Sequence, residues 1–308
     1  MDKAIGCYDA AVQELIINEL LYALVGTEGQ YISIKRVHRK EDDITFQVDA
    51  STDLALQELA DRMFPLCESY LLIDQFVESR SQFKNGVVNH AFAAALRALL
   101  LDYRAMVAQL EHQFRLGRLS IHGLSFYCQP LMASMQALSA VVKKASASNC
   151  TGSAVLNLLQ SQSKAMAGDS AVRSLLEKMT QCASSAYLGI LERWVYKGVI
   201  DDPYGEFFIA ENKYLHEESL TQDYDAKYWK SRYNLKEGIP SFFANIAGTI
   251  LTTRKCLNVM RECGHNVQYD LMGKLWSIKH YPLLDQDDFL VHFTDIAQDE
   301  LNKKLDEI

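Results

Sequence analysis

Between residues 52 and 196 apolar side chains recur every three or four positions almost without pause, which is the spacing of amphipathic helices. Few folds accommodate such a run. Only 5 prolines and 15 glycines occur in 308 residues, so the two strongest breakers of regular structure are both scarce. This excludes collagen-like chains, low-complexity disorder and turn-rich β-sandwiches, and the length suffices for a large core.

Individual helices follow from the pattern. An amphipathic helix is expected over 9–25, with Asp9 as its cap and Gly26 and Gly29 ending it. Residues 31–37 and 44–48 are β-branched and alternating, which predicts one isolated β-hairpin within 31–48 that must pack on helices to be stable. Thr52 and Asp53 open the next helix, which Pro65 should kink or split. Asn85-Gly86 breaks the chain before a long helix running from Val88 to Phe114. A helix over 120–147 contains Pro130, a second expected kink, and a polar linker follows at 146–152. Helices over 153–166 and 170–196 come next, parted by Gly168-Asp169. Long helices joined by short connections imply antiparallel neighbours. The expected fold is mainly α: an elongated helical bundle of stacked antiparallel helices with one small β-hairpin near the N-terminus.

The pattern changes after Trp194. Residues 201–228 hold eight acids against two bases, most of the chain's net charge of −8. Eight aromatic residues lie among or just beyond these acids, from Tyr204 to Tyr233. A solvated acidic tail is poor in aromatics, so this stretch should be ordered in part. Helix resumes at Ile239-Pro240-Ser241-Phe242, with proline where a first turn tolerates it, and continues to Gly264. Final segments at 271–280 and 286–304 flank Pro282. The division expected is 1–197, a helical bundle with the hairpin, and 198–308, its continuation with the acidic aromatic segment 201–233.

Charge and cysteine usage narrow the functional classes. A net acidic chain with a pI near 5.5 does not suit broad nucleic-acid binding, which needs a basic surface. No apolar run is long enough to span a membrane, and the N-terminus does not read as a secretory signal. Seven scattered cysteines contain no C-x-x-C, and the closest grouping, Cys256, Cys263 and His265, reads as helix packing rather than zinc. Reduced thiols, no metal and no cofactor are expected. Nucleotide-binding, zinc-protease and nucleophile-elbow motifs are all absent.

The best enzymatic candidate is Asp201-Asp202-Pro203-Tyr204-Gly205-Glu206, since helical Mg-dependent diphosphate enzymes bind their metal through aspartate-rich clusters. Pro203 and Gly205 oppose the continuous helix such a cluster needs, and Asp285-Gln286-Asp287-Asp288 is only an approximate second motif. A helix cap and turn is the favoured reading. His112, His122, His216, His280 and His292 read as surface or satisfied core positions.

Five stretches, in this order and spacing, carry a resemblance. They are Gly198-Val199-Ile200-Asp201-Asp202-Pro203-Tyr204-Gly205-Glu206-Phe207-Phe208, Asp225-Ala226-Lys227-Tyr228-Trp229, Ile239-Pro240-Ser241-Phe242, Leu257-Asn258-Val259-Met260-Arg261-Glu262-Cys263-Gly264 and Leu283-Leu284-Asp285-Gln286-Asp287-Asp288-Phe289. Together they resemble the gamma-tubulin complex components, over the N-terminal helical region of that family. The resemblance implies a non-enzymatic structural role in microtubule nucleation at microtubule-organising centres in the cytoplasm. It also implies lateral helix-helix contacts with other gamma-tubulin complex components, and indirect or weak contact with gamma-tubulin, whose binding region has no counterpart in these 308 residues. Relative to the family, an apparent deletion follows residue 268, where Val267-Gln268 runs directly into Tyr269-Asp270.

Aromatic residues among charges are typical of interfaces with polar rims. Asp201, Asp202, Tyr204, Glu206, Phe207, Phe208, Tyr228 and Trp229 are therefore the candidate partner-binding residues. A second reading, slightly favoured, is that these aromatics anchor the loop onto the bundle. Two alternatives to the structural role stand beside it: a Mg-dependent diphosphate enzyme, and a truncated paralogue without independent function.

Overall fold

The computed structural model describes residues 10–36, 44–50, 52–212 and 231–262. It is mainly helical, with a small antiparallel hairpin near the N-terminus. The elements, in order, are α1 (Ala10–Leu24), β1 (Ile32–Arg36), β2 (Ile44–Val48), α2 (Leu54–Asp61), α3 (Phe64–Arg80), α4 (Val87–Arg115), α5 (Ile121–Ala147), α6 (Ser153–Ala165), α7 (Ser170–Lys197), β3 (Ile209–Glu211), β4 (Tyr233–Leu235) and α8 (Ala247–Glu262).

Local chemistry sets most boundaries. Asp53 caps α2, its carboxylate accepting from Ala55 N, and Ser120 caps α5 by accepting from Gly123 N. Pro65 splits rather than kinks, because it falls in the first turn of α3, where a missing N–H costs nothing. Pro130 sits inside a continuous α5. Pro240 opens a single 3-10 turn, Ser241–Phe243, and regular helix waits until Ala247, seven residues beyond the expected start. The pairing of β3 with β4 was not expected from sequence, because three-residue strands are too short to show a periodic signal. Asp9, Tyr228, Trp229, the apparent deletion and the segments beyond 262 lie outside the described residues.

Contacts divide the chain into two compact units. In the first, built from residues within 1–82, 92–150 and 161–179, α3 packs along α5 and is flanked by α1, α2 and the hairpin. On β2, Ile44, Phe46 and Val48 face the core while Thr45 and Gln47 face out, and Phe46 stacks on Phe64. Glu19 joins α1 to this hairpin. Its buried carboxylate accepts from the backbone N–H of Gln30, Tyr31 and Ile32 at 3.0, 3.1 and 3.2 Å. Gly29 lies so close that any Cβ there would strike the Glu19 carboxylate.

Further into the same core, Tyr103 of α4 donates its hydroxyl to the Leu24 carbonyl at the end of α1 and stacks on Tyr70. Arg104, next along α4, donates to the Tyr70 hydroxyl and to Asp74 on α3. Ser69 and Ser139 bond across α3 and α5, so the few polar groups buried there satisfy one another. Burial pushes the Cys67 thiol well up and that of Cys128 to about 11.

The second unit comprises residues within 83–91, 151–160 and 180–308, and it contains the candidate site.

Candidate functional site

The loop 198–208 begins where α7 ends. Gly198 adopts the left-handed conformation, and its N–H returns to the Trp194 carbonyl, closing the helix. Arg254 of α8 is buried directly beneath, its Nη1 donating to the Val195 carbonyl, so a cation sits at the negative end of α7. A side chain at position 198 would occupy the guanidinium's place.

Asp202 then organises the turn. Its side chain is 3% exposed, and its two oxygens accept from the backbone N–H of Glu206 at 3.0 Å and Phe207 at 2.8 Å. Gly205 supplies the positive φ this turn requires, and Lys236 of the β3–β4 hairpin region donates to the Gly205 carbonyl at 2.9 Å. The same ammonium lies 3.9 Å from Asp202. Asp201, by contrast, is 57% exposed and pairs with Arg193, where an ion pair contributes little.

Glu206 turns inward toward two helix starts. One carboxylate oxygen accepts from Val87 N at 2.7 Å and Val88 N at 3.2 Å, at the N-terminus of α4. The other accepts from Gly152 N at 2.9 Å, immediately before α6. Helix α4 has no acidic residue in its own first turn, so Glu206 serves as its cap from 119 residues away. Gly86 and Gly152 both have positive φ, and a Cβ at either would press on Glu206. Burial, the largest influence, raises the Glu206 carboxyl above its ordinary value, while the three backbone donors pull it back.

Behind the loop lies an aromatic cluster. Phe207 and Phe208 are buried against one another, with centroids 4.7 Å apart, and both face Tyr187 of α7. Phe208 also packs on Phe243, and its N–H donates to the Tyr187 hydroxyl at 3.1 Å. Trp194 meets Tyr233 edge to face at 4.6 Å. On the hairpin, Glu211 accepts from Arg232 and from the Tyr233 hydroxyl. Asn157 of α6 clamps the next segment, its amide donating to the Ile239 carbonyl and accepting from Ser241 N.

Six of the eight residues singled out from sequence therefore lie in one loop, and they face two ways. Asp202, Glu206, Phe207 and Phe208 point inward and hold the backbone, whereas Asp201 and Tyr204, the latter 42% exposed, face solvent. The inward carboxylates accept from backbone N–H groups, and no group of three or more His, Cys, Asp or Glu side chains suited to a metal occurs among the described residues. Sequence reasoning missed the other half of the arrangement: Gly86, Gly152, Tyr187, Lys236 and Arg254. Only the glycines left a trace, as helix starts with no nearby carboxylate to cap them.

This fold and loop define a mainly helical packing module in which buried polar side chains serve helix ends and turns. The chain belongs to the gamma-tubulin complex component family, with residues 17–308 matching the family's N-terminal region, described as "Gamma tubulin complex component N-terminal". It is 68% identical to gamma-tubulin complex component 2 of Arabidopsis thaliana, across the whole chain and 52% of that relative. Identity to gamma-tubulin complex component 2 of Mus musculus is 38%, over 99% of the chain and 38% of the relative. Spindle pole body component alp4 of Schizosaccharomyces pombe is 27% identical over 94% of the chain. Component 3 relatives match more distantly, that of Arabidopsis at 25% over 82% of the chain. The chain spans about half the length of the Arabidopsis component 2 relative, or less of the mouse one. The Arabidopsis component 2 alignment runs over 349 positions against 308 residues here, leaving 41 without a counterpart in this chain.

Proposed function

We propose that this chain is a structural, non-enzymatic part of a gamma-tubulin complex acting in microtubule nucleation at a cytoplasmic microtubule-organising centre. Its contribution is lateral helix-helix contact with other components, and any contact with gamma-tubulin is indirect or weak. The observation that carries this reading is the 68% identity to component 2 over the entire chain. The spindle pole body name of the fission-yeast relative supports the location.

Within this reading, the exposed members of the acidic aromatic segment, Asp201 and Tyr204, form part of the contact surface. Residues 198–308 continue the helical region of 1–197, with a deletion after 268; the 41 unmatched positions support a shortening of the chain relative to the Arabidopsis relative. The geometry does not favour the diphosphate enzyme, because Asp202 and Glu206 already accept backbone hydrogen bonds that a metal would have to displace.

Co-sedimentation of the folded chain with component 3 and with gamma-tubulin tests the role. Association with component 3, and with gamma-tubulin only when component 3 is present, is the expected result. A folded chain that binds neither overturns it.

A further inference from the structure

Two polar rungs join α3 to α4 within the first unit. Asp74 and the helix-closing Ser81 lie two helical turns apart on α3, and Arg97 and Arg104 lie two turns apart on α4, so each pair shares one face of its helix. Arg104 Nη2 donates to Asp74 Oδ1 at 2.7 Å, and Arg97 Nη2 donates to Ser81 Oγ at the same 2.7 Å. The geometry repeats, but an acid stands at one rung and a hydroxyl at the other.

The second rung lacks its negative charge. Among the described residues Arg97 pairs with no carboxylate, and neither does Arg80, which lies in the last turn of α3 and donates to Asn149 Oδ1 at 2.7 Å. From 87 to 101 α4 contains no Asp, Glu or Lys, and Arg97 is its single arginine. Glu78, the nearest acid along α3, is exposed. The Ser81 hydroxyl also donates to the Val77 carbonyl one turn back; the residue is half-buried, and exposed Gln82 and Lys84 follow it.

We propose that Ser81 is a phosphorylation site, at which the phosphate makes with Arg97 the ion pair that Asp74 already makes with Arg104. A protein kinase using ATP supplies the group: the bond from Ser81 Oγ to the γ-phosphorus forms as the bond from that phosphorus to the β-phosphate oxygen breaks, ADP leaves, and the hydroxyl proton passes to the kinase's base. The modified serine has no hydrogen left for the Val77 carbonyl, and it carries a charge of about −1.5 to −2 at the negative end of α3. Repulsion there is opposed by Arg97, whose guanidinium already points at Oγ and can grip two phosphate oxygens, and by Arg80 in the same last turn. Phosphorylation thus exchanges a neutral contact between α3 and α4 for a charged, salt-sensitive one. Ser79 is an internal reference, since it is exposed on the same helix end but its hydroxyl donates to the Phe76 carbonyl and it lies off the rung.

Two measurements test this, and neither depends on the role proposed above. The whole chain is incubated with Mg-ATP and an extract of dividing Arabidopsis cells, then digested for mass spectrometry. Phosphate on Ser81 is the expected result; none there, or phosphate on Ser79 alone, overturns the proposal. In the second measurement phosphoserine is incorporated at position 81 of the whole chain. It should leave the thermal melt of the otherwise wild-type chain unchanged or higher, and lower that of Arg97→Gln by about 3 °C or more, the difference shrinking in concentrated salt. Equal shifts in the two backgrounds overturn the pairing with Arg97. If Arg97→Gln does not fold, Arg97→Lys takes its place: the charge stays, the fork is lost, and a lowering of about 1 °C or more is expected, with no lowering counting against the proposal.

Discussion

The Glu206 carboxylate occupies the space that a side chain at position 86 would need, and from there it accepts the first two backbone N–H groups of α4. The two residues are 120 positions apart and depend on each other. Glu206→Ala leaves two α4 donors and Gly152 N without their acceptor, and should destabilise the chain by about 3 kcal/mol. Gly86→Ala should also destabilise, through both the collision and the positive φ. In a double-mutant cycle followed by urea unfolding, Gly86→Ala should cost less once residue 206 is alanine, because only the backbone strain remains.

Acidification probes the same carboxyl. Burial raises its folded value above the ordinary 4.5, so its contribution to stability is largest below the unfolded value and is lost as pH rises through the folded one. Thermal melts of wild type and Glu206→Gln should therefore diverge in favour of wild type as pH falls from neutral toward 4.5. A difference that instead grows with rising pH would mean the backbone donors outweigh burial.

The loop's aromatic residues separate into two classes. Phe208→Ala removes a buried ring and its contacts with Phe207, Tyr187 and Phe243, at a cost of about 3–5 kcal/mol. Tyr204→Ala should alter stability by less than about 0.5 kcal/mol, since the ring is on the surface. If Tyr204 belongs to the contact surface, its loss should appear in component binding alone.

Glu19 performs for the N-terminal hairpin what Glu206 performs for α4, again with a glycine, Gly29, leaving room. Glu19→Ala should accelerate amide hydrogen exchange at Gln30, Tyr31 and Ile32 by at least tenfold, while the α3–α5 core remains protected. Uniform acceleration across the first unit would show that the hairpin and core open together.

Thiol labelling offers a check on the core. With its thiol pushed to about 11, Cys128 is about one part in a thousand thiolate at pH 8, and burial blocks access as well. Burial raises the Cys67 thiol as well, whereas Cys150 and Cys182 are partly exposed. Mass spectrometry after brief alkylation should find Cys150 and Cys182 modified long before Cys67 or Cys128.

Much of the fold was legible because helix signals are local. Ser120 and Asp53 cap their own helices, Pro65 falls at a helix start, and the β2 alternation repeats within five residues. The β3–β4 pairing was not legible, since its strands are three residues each and residues 212–232 intervene. The loop 198–208 was conspicuous as a string of acids and aromatics, but its residues' orientations were not. Whether Asp202 faces a metal, a partner or its own backbone depends on where the Glu206 and Phe207 amides lie, and local periodicity carries no such information.

The sequence alone determined the main helices between residues 54 and 197 and that an acid-rich loop follows them, because propensity, capping and periodicity act over a few residues. Only the tertiary structure decided that Glu206 caps α4, that Arg254 sits beneath Gly198, and that Phe126 and Tyr127 face outward rather than into the core. These are relations between residues far apart in the chain. They are set by packing, which assigns each side chain to core or surface after the helices have formed.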